Sequence, residues 1–221
     1  MTSLISADCV YTPCFCEENA YKLCERLIRE PCELYVAFIS NCAKQVPLWH
    51  QRASSHPSGL VIWDYHVLVL QRTASECLIW DLDTTLPFPC SLSLYSEAAL
   101  NINLPLSPEL ARCWRVISAD AYLNGFASDR SHMQLEDGSW QATPPTYQCI
   151  VASDGTKMRL ADYINVIDTP DISSASTAAT LLGTVYSEAA FLQAFAPQNT
   201  PILEQQQQRS AVLDPEATCT A

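Results

Sequence analysis

The chain has 221 residues, of which 48% are hydrophobic and only 16% charged, so it suits one domain with a sizeable core and is no charge-rich disordered chain. Twelve basic against twenty-four acidic residues give a net charge of −12, which argues against nucleic acid as a partner and favours cationic ligands. Its eleven cysteines fall short of the ~8–10% that marks a disulfide scaffold, and no run of ~18 apolar residues would cross a membrane. No basic start followed by an apolar run reads as a leader, so most cysteines are expected as reduced thiols that pack like small hydrophobes.

In chain order, Thr12 and Pro13 followed by Glu17 and Glu18 read as a helix start, with Thr12 as the cap and acids at the positive dipole end. Ala20, Leu23, Cys24, Leu27 and Ile28 recur at three- and four-residue spacing, which gives that helix one apolar stripe until Pro31 stops it. Leu34 to Ile39 and Val46 to Trp49 read as short strands joined by a polar turn, hence as a hairpin. Leu60 to Leu70 is a long apolar run broken only by Asp64 and His66, the pattern of a strand buried on both faces. Cys77 to Asp83 repeats it after a polar loop. With that loop centred between Thr73 and Ala74, His66 faces Asp81, and directly opposed Cβ atoms lie roughly 4.5–5.5 Å apart.

Farther along, Tyr95 to Leu100 and Pro108 to Trp114 read as helices, the second capped by Ser107. Arg115 to Ala119 reads as a strand, and Asp120 caps a short helix ending at Gly125. Ala127 to Pro145 is a long loop, a kind of segment that is often functional. Leu160 to Val166 reads as helical, as does Ser187 to Ala196, with Ser187 as cap and Phe191, Leu192 and Phe195 on one face. Residues 1–196 are expected to form a single catalytic domain with an exposed insertion at about 168–180. Residues 197–221, with their glutamine run, are expected to be a disordered tail.

A thiol at a helix N-terminus, a histidine and an acid in that order suggest nucleophilic catalysis. Cys16 meets the helix condition and Cys14 competes with it, since sequence physics does not separate the two. Glu17 and Glu18 oppose thiolate formation unless they point away or are neutralised by a substrate cation. His66, Asp64 and Asp81 sit on apolar strands where unpaired charges cost several kcal/mol, so they are expected to share a network, catalytic or structural. His50 and His56 belong to a polar loop and carry no special signal. Cys9, Cys14 and Cys16 are clustered, yet no second metal-type spacing follows, so no metal is expected. With five glycines in the chain, no phosphate-cradling loop exists and no nucleotide cofactor is expected.

Four longer strings go beyond spacing: CVYTPCFCEEN from Cys9 to Asn19, VIWDYHV from Val61 to Val67, WDLDTTLPFPC from Trp80 to Cys90, and FASDRSHM from Phe126 to Met133. Together they resemble the protein N-terminal glutamine amidohydrolase family, with weaker agreement reaching Phe195. The resemblance implies an α/β fold with a papain/transglutaminase-like core, a helix-borne cysteine packed on a mostly antiparallel sheet with flanking helices. It implies Cys16, His66 and Asp81 as the triad and thereby favours Cys16 over Cys14. The reaction it implies converts an N-terminal glutamine of a protein or peptide to glutamate, with ammonia release through a cysteine thioester and no cofactor. That step would feed the arginine branch of the N-degron pathway.

Selection of a terminal residue requires recognition of its α-ammonium, for which Glu18, Asp64 and Asp83 are candidates, with Trp63 as a pocket wall. The Asp129, Arg130 and His132 loop resembles the family strongly, with its role left open. A monomer in the cytoplasm, with the nucleus as a second location, that contacts an arginyltransferase or ubiquitin ligase is the corresponding expectation. Two other classes stand beside it. A cysteine protease or transglutaminase-type acyl transferase would use the same triad. A non-catalytic thiol-rich binding module would have no selectively reactive cysteine.

Overall fold

Helix α1 (Cys16–Leu27) begins three residues later than Thr12 as a cap would require. Phe15 holds the N-cap position, and Asn19 reaches back to bond both the amide and the carbonyl of Thr12 at 2.8 and 2.9 Å. Asn19 thereby folds the preceding turn onto the helix, and the chain enters α1 through Cys14 in a left-handed conformation (φ 67°). The computed structural model describes residues 4–28, 32–73, 75–166 and 182–196. Pro31, the 168–180 segment and the 197–221 tail lie outside the described residues.

The strands are β1 (Glu33–Ser40), β2 (Val46–Leu48), β3 (Val61–Trp63), β4 (His66–Arg72), β5 (Cys77–Trp80), β6 (Cys90–Ser91), β7 (Cys113–Ser118) and β8 (Thr184–Ser187). A six-stranded sheet runs β6-β5-β4-β1-β7-β8 with every neighbouring pair antiparallel, and β2 and β3 form a separate ribbon. The hairpin expected between Leu34–Ile39 and Val46–Trp49 therefore does not form. β1 is held by β4 and β7, while β2 turns away to pair with β3. The expected strand from Leu60 to Leu70 is likewise two strands. The Tyr65 amide donates to its neighbour Asp64 Oδ1 at 2.9 Å, a local bond that competes with the ladder and marks the break.

The remaining helices are α2 (Leu92–Ala98), α3 (Ala119–Gly125), α4 (Leu160–Ile164) and α5 (Glu188–Phe195). Ser91, Ser118 and Ser187 cap α2, α3 and α5 through their side-chain oxygens. Two expectations are corrected here. The cap of α3 is Ser118 rather than Asp120, and α2 begins at Leu92 rather than Tyr95. Pro108 to Leu110 is only a single 3-10 turn with no capping bond from the Ser107 side chain, and Trp114 belongs to β7, whose apolar run is claimed by pairing with β1.

Both faces of the large sheet are covered, which is why β1 and β4 read as continuous apolar runs. Val36, Phe38, Val67 and Val69 pack with Leu23 and Leu27 of α1, Tyr122 of α3 and Tyr163 of α4. Ala37, Ile39, Leu68 and Leu70 pack with Tyr95 of α2 and Phe191 of α5. Each large side chain so buried contributes ~1.5–3 kcal/mol, and together they fix α1 across the sheet. The protein is thus a mixed α/β fold on a mostly antiparallel sheet with flanking helices.

Candidate active site

His66 opens β4 and is fully buried, and its Nε2 lies 2.9 Å from Asp81 Oδ1 just beyond the end of β5. The contact matches the expectation although the register differs. Val69 faces Trp80 and Leu70 faces Ile79, so each β4 residue faces a partner two places farther along than a loop centred between Thr73 and Ala74 would give. Because strand side chains alternate with period two, a two-residue shift keeps His66 and Asp81 on one face, whereas a one-residue shift would separate them.

Asp81 is fixed by three further groups. Its Oδ1 accepts from the Asp83 amide at 2.9 Å, and its Oδ2 accepts from the Tyr95 hydroxyl at 2.8 Å and from Gln51 Nε2 at 3.3 Å. Gln51 in turn accepts from the Trp63 indole N–H at 3.1 Å, and the Trp63 ring stacks on His66 with centroids 5.4 Å apart. Trp63 therefore covers one face of the imidazole. Burial favours the neutral form of Asp81, but the His66 charge, its hydrogen bond and those of Asp83 and Tyr95 outweigh it, so the pKa is lowered. Burial likewise opposes charging of His66, yet Asp81, with Asp83 and Glu17 behind it, raises that pKa above its ordinary value. The other imidazole nitrogen, Nδ1, is buried without a hydrogen-bond partner.

Cys16 is the first residue of α1 and lies beside Val67, the residue that follows His66 in β4. Cys16, Val67 and Asp83 line one narrow cavity. The thiol donates to Glu17 Oε2 at 3.7 Å rather than to His66. Burial, then the charges of Glu17 and Asp83, push its pKa well above the usual 9.0 despite the Val67 amide. The Cys16 thiol thus stands beside an ordered His–Asp pair, with burial and the neighbouring acids opposing its ionisation. Unliganded catalytic sites often lack their final hydrogen bonds. Cys14 is exposed in the turn before α1, outside the helix that carries Cys16.

The other sequence candidates separate. Asp83 is buried and accepts from the Tyr11 hydroxyl at 2.6 Å; burial raises its pKa, partly offset by His66. Asp64 is exposed at the break between β3 and β4. Glu18 is fully buried, with both oxygens taken by Arg130. His50 and His56 are both exposed. All ten cysteines among the described residues are free. Ligand atoms of His66, Asp81 and Asp83 lie within 4.8 Å of one another, close enough in principle for a metal, but the Asp81 and Asp83 carboxylates are already taken up by protein donors.

Sequence reasoning missed Gln51 and Tyr95, which lie on segments with no catalytic pattern, and Tyr11, whose pairing with Asp83 depends on a contact 72 residues away. It gave Glu17 only the role of opposing the thiolate. The Arg130 loop folds back so that His132 Nε2 is 3.6 Å from Glu17 Oε1, while Arg130 grips Glu18. Adjacent acids at the start of α1 thereby both receive the FASDRSHM segment.

A family model described as N-terminal glutamine amidase matches residues 11–195. The protein N-terminal glutamine amidohydrolase of Arabidopsis thaliana is 46% identical over 173 residues, spanning 74% of this chain and 78% of its own. That of Bos taurus is 43% identical over 196 residues, spanning 86% of this chain and 89% of its own. That of Homo sapiens is 46% identical over 163 residues, spanning 72% and 78%.

Proposed function

The chain belongs to the N-terminal glutamine amidase family, and from that premise we propose that Cys16, His66 and Asp81 deamidate an N-terminal glutamine. It is a hydrolase of amide C–N bonds, as its relatives are named. The observation that carries the residue assignment is the buried His66 Nε2 to Asp81 Oδ1 bond, which leaves Nδ1 unpartnered, one residue from the Val67 that lines a cavity with Cys16.

The chemistry follows from that arrangement. Asp81 holds the proton on Nε2, so Nδ1 is the basic nitrogen and takes the thiol proton. The sulfur attacks the side-chain amide carbon, and the oxyanion develops near backbone N–H groups at the start of α1. The proton on Nδ1 passes to the leaving nitrogen, the C–N bond breaks and ammonia departs, leaving a γ-glutamyl thioester. His66 then activates water, the C–S bond breaks, and the thiol and an N-terminal glutamate result. Such a terminus is the chemistry an arginyl transfer step would consume. The helix-borne cysteine and antiparallel sheet support a papain/transglutaminase-like core. Mass spectrometry of Gln-, Asn- and acetyl-Gln-initiated peptides tests the reading. Only the first should gain the mass that accompanies exchange of NH2 for OH, and turnover of the acetylated peptide or of none would overturn it.

A further inference from the structure

Glu17 follows the nucleophile in sequence and is fully buried. Its Oε2 accepts from the Tyr65 hydroxyl at 3.1 Å as well as from the Cys16 thiol at 3.7 Å. Its Oε1 has no hydrogen-bond partner. His132 Nε2 stands 3.6 Å from that oxygen, and neither nitrogen of the His132 ring makes a hydrogen bond. The His132 side chain is 21% exposed against 0% for Glu17, so the imidazole lies on the solvent side of the acid. A buried carboxylate oxygen left unpaired is costly, and such an atom in a native site calls for a specific explanation.

The competing acids are already occupied or exposed. Glu18 is saturated by Arg130, Asp83 holds Tyr11, and Asp64 lies at the surface. A terminal glutamine differs from an internal one by its α-ammonium, three N–H donors carrying one positive charge. On the deamidase reading above, we propose that Glu17 is the receptor for this α-ammonium and that docking of the cation there releases the Cys16 thiol to His66 Nδ1.

The free site explains why the same group would both select and activate. The thiol spends its proton donation on Glu17, and the charges of Glu17, Asp83 and Asp64 all oppose its ionisation. An ammonium beside Glu17 compensates the nearest of these charges and competes for the oxygen the thiol was using. The thiol proton then moves to Nδ1 of His66, the sulfur pair forms the bond to the amide carbon, and the ammonium keeps its own protons. An internal or acetylated glutamine brings no cation and leaves the thiol tied to Glu17. The groups facing Glu17 are Cys16, Tyr65 and His132, with the Tyr122 hydroxyl on its backbone carbonyl.

The test pairs two peptides, one beginning with glutamine and one with its des-amino counterpart, against wild type and Glu17→Gln, whose amide oxygen still accepts from Tyr65. Wild type should prefer the ammonium-bearing peptide by at least ~100-fold in kcat/KM, and Glu17→Gln should reduce the preference below ~10-fold, chiefly by raising KM. Iodoacetamide should label Cys16 faster in ligand-free Glu17→Gln than in wild type. Turnover of the glutamine peptide with the preference and labelling rate unchanged in Glu17→Gln overturns the inference alone. Wild type that turns over neither peptide overturns the deamidase reading with it. A measurement free of any variant is labelling of wild-type Cys16 in ethylammonium chloride against sodium chloride at equal ionic strength. Faster labelling in the former is expected, and equal rates overturn the assignment.

Discussion

Glu18 and Arg130, 112 residues apart in the chain, meet in a buried bidentate ion pair with both N···O distances 2.8 Å. Arg130 adopts a left-handed backbone (φ 65°) and also donates to the carbonyls of Pro145 and Tyr147 at 3.0 Å. One side chain thus gathers the ends of a long loop and fastens them to the helix that bears Cys16. The uncommon φ is tolerated because these bonds over-determine the residue.

Breaking that pair strands a buried charge. Arg130→Met or Glu18→Gln should each lower stability by ~3–5 kcal/mol, while the double replacement Glu18→Met with Arg130→Met should recover most of it. Urea unfolding of the three variants measures this. A double variant no more stable than the singles would assign the loss to the loop geometry instead of the uncompensated charge.

Cys16→Ala should abolish ammonia release from a glutamine-initiated peptide while leaving the melting temperature within a few degrees, since alanine suits the first turn of a helix. Cys14→Ala should keep activity within a few-fold, because Cys14 is exposed in the turn before α1. Loss of activity in Cys14→Ala with retention in Cys16→Ala would exchange their roles.

The His66–Asp81 pair predicts a stability window in pH. The lowered pKa of Asp81 gives a contribution present above its ordinary 3.8 and lost as pH falls through the folded value. The raised pKa of His66 gives one present below its ordinary 6.5 and lost as pH rises through the folded value. Both are therefore complete between 3.8 and 6.5. The stability gap between wild type and Asp81→Asn should be wider at pH 5 than at pH 9 in urea titrations. The same variant should lower kcat by ~10³–10⁴-fold, because Asn no longer fixes the imidazole tautomer.

Tyr95→Phe removes the 2.8 Å hydroxyl donor from Asp81 Oδ2 inside the core. A hydrogen bond to a buried charge is worth ~1.5–3 kcal/mol, so stability should fall by that amount. Activity should fall through kcat more than KM, because Tyr95 touches Asp81 and positions the pair indirectly. Calorimetry with steady-state kinetics checks both, and a KM-dominated loss would place Tyr95 in the substrate pocket instead.

Features legible in the sequence were those written over short spans. The apolar spacing of Ala20, Leu23, Cys24 and Leu27 marked α1, and Ser187 marked the start of α5, because capping and helix periodicity act within a turn or two. Where two local signals competed, tertiary pairing won. Pro108 to Trp114 looked helical from its proline, yet Trp114 enters β7 because β1 offers a partner on that side. The hairpin read into Val46 to Trp49 failed for the same reason, since β2 found its partner in β3.

By itself the sequence nominated candidates for the chemistry, a thiol near a helix start and a histidine and an acid at matching parity on successive strands, and through the family resemblance favoured Cys16 among the thiols. It also determined the family, through four strings in order. Only the tertiary structure decided how those groups are held. It brought Gln51 and Tyr95 to Asp81, Arg130 to Glu18, and Glu17 rather than His66 to the thiol of Cys16. The physical reason is range. Periodicity and capping are set by neighbours a few residues away, whereas a buried charge takes its partner from whichever distant segment the packed sheet and helices bring within hydrogen-bond reach.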